Sequence, residues 1–203
     1  MRYIFASINM LIMGLKMSPA YEQELVQKAK DSLKAFDEIY EYYLPRIFGY
    51  VMNRSGSREI AEDVTSQTFF KAMAKIKSFK YKGYSFGAWL YRIAHNNLMD
   101  YYRKNPNPVD MDPEDAKSES SETEKEAVQS EKKKAVLKIL KKLPEQYQQV
   151  LSLRFFEEMT NAEMAEILGC RKSTLAVKLH RSLKAFKKAI EEEGLLEALN
   201  ISL

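Results

Sequence analysis

Arg171, Thr174, Lys178 and Arg181 recur at three- and four-residue steps, the spacing that stacks side chains on one side of a helix. Three cations and a hydroxyl so placed can bond phosphates and base edges. A helix carrying them suits the major groove of duplex DNA, its first turns at the bases and its flanks on the backbone. A second concentration runs from Phe79 to Lys104. There Phe79, Tyr81, Tyr84, Phe86, Trp89, Tyr91, Tyr101 and Tyr102 interleave with Lys80, Lys82, Arg92, Arg103 and Lys104. Aromatic faces accept unstacked bases at about 1–3 kcal/mol each while cations follow the phosphates, the chemistry of a single-strand platform. Trp89, Ile93 and Leu98 share helical spacing and are assigned to the core. Tyr84, Phe86, Tyr101 and Tyr102 are the stacking candidates. Asn96 and Asn97 either read base edges or cap and pack.

The elements that must position these groups are helices. Thr160 and Glu163 have the spacing of a reciprocal capping box, which starts a helix. Ala162, Ala165, Ile167 and Leu168 form its apolar side, and Gly169 falls where a left-handed residue commonly stops a helix. Leu175, Leu179, Leu183, Phe186 and Ile190 then give the buried stripe of a second helix. The pair reads as a helix-turn-helix, although an ordinary two-helix corner with a solvated basic face fits the same local pattern. Upstream, Phe36, Ile39, Tyr40, Tyr43, Ile47, Tyr50 and Val51 keep helical spacing, with Pro45 expected to kink that helix or open a new one. Arg58 to Lys77 is a second helix with Ile60, Val64, Phe69, Met73 and Ile76 inward, and Ala88 to Arg103 a third. No run alternates convincingly between apolar and polar, so the expected fold class is all-α: two small helical domains joined by a flexible acidic linker.

Composition divides the chain accordingly. The 203 residues carry a net charge of +4, unevenly spread. From Lys71 to Lys104 there are eight basic residues and one acidic, and from Lys134 to Ile190 twelve basic and five acidic. Between them, Asn105 to Lys133 holds nine acidic and four basic residues with three early prolines, too few apolar groups to order itself. The expected organisation is therefore an N-terminal extension (1–24), a first helical domain (25–104), a linker (105–133), a second helical domain (134–190) and a tail (191–203). The linker would span about 30 Å relaxed and roughly 95 Å extended. Two basic blocks separated by an acidic connector imply two nucleic-acid contacts on one chain.

The single Cys170 rules out an internal disulfide. Tyr3 to Leu15 is largely apolar behind Arg2, but Ser7, Asn9 and Gly14 interrupt it and no small-residue cleavage site follows. We expect an overextended start with the working chain beginning near Met17, a weak membrane-binding segment being the other reading. With only His95 and His180, and with no Walker-type loop, paired His-Glu metal helix or nucleophile elbow, neither an enzyme nor a metal or other cofactor is expected.

Three signatures in order then carry a family resemblance. REIAEDVTSQTFFKAM, LYRIAHNNLMDYYRK after a Trp, and LPEQYQQVLSLRFFEEMTNAEMAEILGCRKSTLAVKLHRSLKAFKK behind an acidic linker resemble bacterial RNA polymerase sigma factors of the small, two-domain, extracytoplasmic-function (ECF) type. The resemblance implies a cytoplasmic initiation factor acting with core polymerase. It implies that Glu62, Asp63, Gln67 and Phe69 dock on the clamp helices of the largest subunit. Tyr147, Leu151 and Phe155 would hold the flap of the second large subunit. Tyr84, Phe86, Arg92, Asn96, Asn97, Tyr101, Tyr102, Arg103 and Lys104 would capture and open the minus-ten element. Arg171, Lys172, Ser173, Thr174, Lys178 and Arg181 would read the minus-thirty-five element as duplex. An inhibitory anti-sigma protein is a further implied partner, and a small-molecule substrate is not. The sequence departs from the family pattern at Arg171, where a capping Ser or Thr is usual, at His95, where Arg is common, and at Phe86 and Gly87, where a polar-charged pair is usual. A free-standing helix-turn-helix regulator is the alternative; it leaves the aromatic-basic segment without a role.

Overall fold

The computed structural model describes residues 17–105, 135–136 and 138–194. The apolar segment before Met17, all but the first residue of the expected linker and the tail beyond Gly194 lie outside them. Among the described residues every regular element is helical, as expected for an all-α chain, and the chain divides into two compact units.

The first unit is four helices with serines at their starts. Ser18, Ser32, Ser57 and Ser85 cap α1 (Pro19–Ala29), α2 (Leu33–Ser55), α3 (Arg58–Lys75) and α4 (Phe86–Lys104). Each hydroxyl accepts from a backbone N–H three residues on, satisfying a donor that the helix leaves without a partner. Gly56, left-handed at φ 65°, closes α2 by donating to the Met52 carbonyl at 2.9 Å. A 3-10 turn, Ile76–Ser78, ends α3. The helix α2 runs unbroken through Pro45, which opens no new helix: the proline is on the exposed side, where water can replace the lost bond.

Packing follows from the buried stripes. The long α2 lies against α1 and α3, α4 packs on α3 and α2, and α1 also touches α4. Val26, Ile47, Val51, Ala61, Ala72, Leu90, Ala94 and Leu98 are inaccessible or nearly so, each large aliphatic contributing about 1.5–3 kcal/mol of burial. The unit begins earlier than the expected boundary at Leu25, because α1 buries Glu22, Leu25, Val26 and Ala29.

The second unit is built on a helical stretch at 138–142, α5 (Glu145–Phe155) and α7 (Lys172–Glu192), with α6 (Asn161–Ile167) between the last two in sequence. Its core joins Val136, Ile139, Leu140, Leu143, Leu151, Phe156, Phe186 and Ile190. Gln148 donates to the carbonyls of Lys141 at 3.3 Å and Leu143 at 2.8 Å, closing the preceding helical stretch.

Candidate nucleic-acid interface

The turn into α7 is built as the spacing predicts. Thr160 N–H donates to the Glu163 carboxylate at 3.0 Å and Glu163 N–H to the Thr160 hydroxyl at 3.3 Å. Gly169 is left-handed at φ 59°. Arg171 occupies the cap of α7 without a capping side-chain bond. The helix therefore starts with its first N–H groups unsatisfied by a side chain, beside an exposed guanidinium, an arrangement suited to a phosphate. Arg171, Lys172, Ser173, Thr174 and Arg181 are exposed, and Lys178 is half-buried at the flank. The inward stripe is Leu175, Ser182, Phe186 and Ile190, while Leu179 and Leu183 are only half-buried. Ser182 fits there because its hydroxyl donates to the Leu179 carbonyl at 2.9 Å. Val177, in the middle of the outward face, is an exposed apolar residue that the sequence reading passed over; its spacing from Thr174 and Arg181 was the available signal.

On α4 the expected minus-ten residues separate into two groups. Arg92, Asn96, Arg103 and Lys104 are exposed, and Tyr84, Tyr101 and Tyr102 half-buried. The Tyr102 hydroxyl donates to the Arg54 carbonyl at 3.2 Å, fixing the end of α4 to α2. Phe86 and Asn97 do not belong on this surface. Phe86 is fully buried against Phe79, Trp89 and Tyr43, with ring centroids 5.3, 5.1 and 6.1 Å away; Trp89, assigned to the core, is the half-buried member of the group. Asn97 is 4% exposed, its amide donating to Thr68 Oγ1 at 3.1 Å and its carbonyl accepting from Lys71. With its hydrogen-bonding groups engaged in the interior, it packs rather than reads a base.

The start of α4 is held by a residue that nothing local in the sequence marks. Glu22 of α1, 6% exposed, accepts hydrogen bonds from the N–H groups of Phe86 and Gly87, both at 3.1 Å, and from the Tyr43 hydroxyl. An acidic group there satisfies orphan donors and complements the positive end of the helix. Burial, and then the neighbouring Glu22 carboxylate, push the Tyr43 phenol well above its ordinary pKa, so it remains a donor. Gly87 is required by the same contact, since a Cβ would fall 2.7 Å from the Tyr43 oxygen.

His95 carries no charge at neutral pH. Burial, and then the positive Arg54, push its pKa down to about 4 from 6.5. Between those values the unfolded chain binds more protons than the folded one, so stability falls as pH drops through 6.5 and the loss stops growing below about 4. Replacing His95 by Gln is expected to flatten this part of the stability profile; matching slopes for both proteins in acid denaturation would contradict it.

The outer side of α3 is acidic and then apolar. Glu62, Asp63 and Gln67 are exposed, with Arg58 donating to Glu62 and Gln67 to Asp63, each at 2.8 Å. Phe69 does not belong with them: it is 4% exposed and packs edge-on against Tyr40, centroids 4.7 Å apart. Its neighbour Phe70 is 69% exposed, and Met73 continues the strip. On α5 the expected surface residue Leu151 is fully buried in the second core, with Tyr147 and Phe155 half-buried against it. Among the described residues no cluster of His, Cys, Asp or Glu could hold a metal, and no helix is long and apolar enough to cross a membrane.

Comparison with known proteins identifies the family. The sequence model of Sigma-70 region 2 matches residues 39–106, and that of Sigma-70, region 4 matches 133–186. The chain is 32% identical to the RNA polymerase sigma factor YlaC of Bacillus subtilis, over 79% of this chain and 93% of that protein. It is 27% identical to the ECF sigma factor SigW of the same organism, over 87% and 100%. Identity to the ECF sigma factor BldN of Streptomyces coelicolor is 28%, over 84% of this chain and 66% of that longer protein. The fold is shared with CnrH, solved with the cytosolic domain of CnrY, at a TM-score of 0.62 and 19% identity over 84% of this chain and 97% of that one. It is shared also with the sigma factor RpoE of Bartonella quintana, solved with the anti-sigma factor NepR, at 0.60 and 20% over 78% and 98%. Two regions matched in order, over a chain that nearly spans YlaC and SigW, make this protein a member of the RNA polymerase sigma factors, of the ECF type.

Proposed function

We propose that the chain directs promoter-specific initiation by binding core RNA polymerase, reading the minus-thirty-five element as duplex through α7 and opening the minus-ten element at α4. The observation that carries this reading is that each unit presents its own nucleic-acid chemistry. The second offers a helix with a cationic outward face beside a helix-turn-helix turn, suited to a groove. The first offers Tyr84, Arg92, Asn96, Tyr101, Tyr102, Arg103 and Lys104 on or beside α4, suited to unstacked bases. Holding bases out of the stack shifts duplex toward open complex by differential binding. The acidic strip of Glu62, Asp63 and Gln67, extended by Phe70, suits the clamp helices of the largest subunit. Tyr147 and Phe155 are what remains accessible for the flap. The proposed place of action is the cytoplasm, with no small-molecule substrate, cofactor or catalytic residue. Because the RpoE structure contains the anti-sigma factor NepR, an anti-sigma protein is a proposed partner here too.

Permanganate footprinting of promoter fragments tests the reading. Thymines reactive only when chain and core polymerase are both present support it. Tight, closed duplex binding by the chain alone, unaltered by polymerase, would transfer the case to a free-standing regulator. Phe70→Ala is expected to change stability by no more than about 0.5 kcal/mol, being a surface substitution. Affinity for core polymerase should fall about tenfold, as for an exposed aromatic anchor. Unchanged affinity in a titration against core would remove Phe70 from the docking strip.

A further inference from the structure

The centre of the outward face of α7 is apolar. Val177 is 51% exposed, opposite the inward stripe of Leu175, Ser182, Phe186 and Ile190. Its neighbours three and four positions away, Ser173, Thr174, His180 and Arg181, are all exposed, and such neighbours share its helix face. A β-branched residue at a solvated helix position forgoes helix propensity relative to Ala, Lys or Glu. Val177 keeps about half its surface open within the chain, so its isopropyl group gains its remaining burial only when another molecule covers this face. The cations on the same side select the covering molecule: Arg181 and Lys184, four and seven positions on, are both exposed and favour a polyanion over an apolar protein surface.

In the major groove of duplex DNA the C5-methyl of thymine is the apolar feature a side chain can meet. Resting on the reading of α7 as the groove-binding helix, we propose that Val177 is a specificity-determining residue that packs on the C5-methyl of a thymine in the upstream promoter element. Serine and threonine hydroxyls on one side and the Arg181 guanidinium on the other then address adjacent base edges and phosphates. Val177 thereby distinguishes a T·A pair from pairs that present no methyl at that point.

Deoxyuridine removes that methyl and nothing else, which makes the test direct. The full chain with core polymerase is titrated against promoter fragments in which each upstream-element thymine is replaced singly by deoxyuridine. One or two positions are expected to lose affinity about threefold to fivefold, the scale of one buried methyl. Val177→Ala should lose a similar factor on the thymine fragment and be indifferent to deoxyuridine at that position only. Alanine is the better helix former, so an unchanged melting curve identifies a folded variant. Equal binding of every deoxyuridine fragment, or a deoxyuridine loss that persists in Val177→Ala, overturns the proposal. So does a Val177→Ala defect confined to polymerase affinity. Should the parent reading of α7 itself be wrong, upstream protection would be missing or insensitive to Arg181→Ala, a different result from protection that merely ignores the methyl.

Discussion

Replacing Glu22 by Ala is expected to destabilise the first unit by about 2–4 kcal/mol, among the larger effects of a single substitution. The carboxylate accepts from three donors: Phe86 N–H, Gly87 N–H and the Tyr43 hydroxyl. Removing it leaves all three in an interior where Phe86, Gly87 and Tyr43 are buried. An unsatisfied buried donor costs about 1–3 kcal/mol, and local relaxation that admits water keeps the total below the sum. The acidic partner at the start of α4 is lost as well. For a unit of this size the unfolding midpoint should fall on the order of 10 °C or more. Tyr43→Phe, which removes one donor of the three, should cost about 1 kcal/mol. The double variant should be less destabilised than the two losses added, because both act on one network. Additive losses in urea titrations, or a Glu22→Ala loss below about 1 kcal/mol, would show that the clasp contributes little.

Removing the Arg181 guanidinium is expected to weaken upstream-element binding about tenfold or more, with little change in stability because the residue is exposed. An arginine on a base edge or phosphate supplies roughly 1–3 kcal/mol of discrimination or attraction. The dependence of affinity on salt separates the two roles. If Arg181 neutralises a phosphate, the logarithmic salt slope of Arg181→Ala drops by about one, and all sequences weaken alike. If it reads a base, the slope is nearly kept and preference at one base pair relaxes. Unchanged binding would exclude α7 from the groove. Core-polymerase affinity should be little changed, because Arg181 belongs neither to the acidic strip of α3 nor to the proposed flap contact at Tyr147 and Phe155 of α5.

The pattern of these residues shows where sequence reasoning stops. Periodicity locates a buried face to within about one residue, since adjacent side chains differ by roughly 100° around the axis. Of the pair Phe69 and Phe70, only the first meets Tyr40 and the core. In α7 the same uncertainty favoured the half-buried Leu183 over the enclosed Ser182, whereas Phe86 was misplaced because α4 starts at Phe86 and not at the expected Ala88. In the first two cases the neighbouring helix decides which position it can accommodate. Asn97 was open between reading a base and packing until Thr68 and Lys71, on another helix, engaged its amide.

By itself the sequence determined what depends on neighbours within a turn or two: the Thr160–Glu163 box, the left-handed Gly169, the apolar stripes and the division of charge. Those sufficed for an all-α chain and its two helical units, because capping, turn geometry and periodicity are set by residues three or four apart; the family rested instead on the resemblance of three motifs in order. Only the tertiary structure decided the Glu22 clasp, whose backbone partners lie 64 and 65 residues away, and the outward place of Phe70 and Val177. Local preferences are the same for a buried and an exposed aromatic on one helix. What separates them is the free energy of burial, and that exists only once another helix supplies the surface.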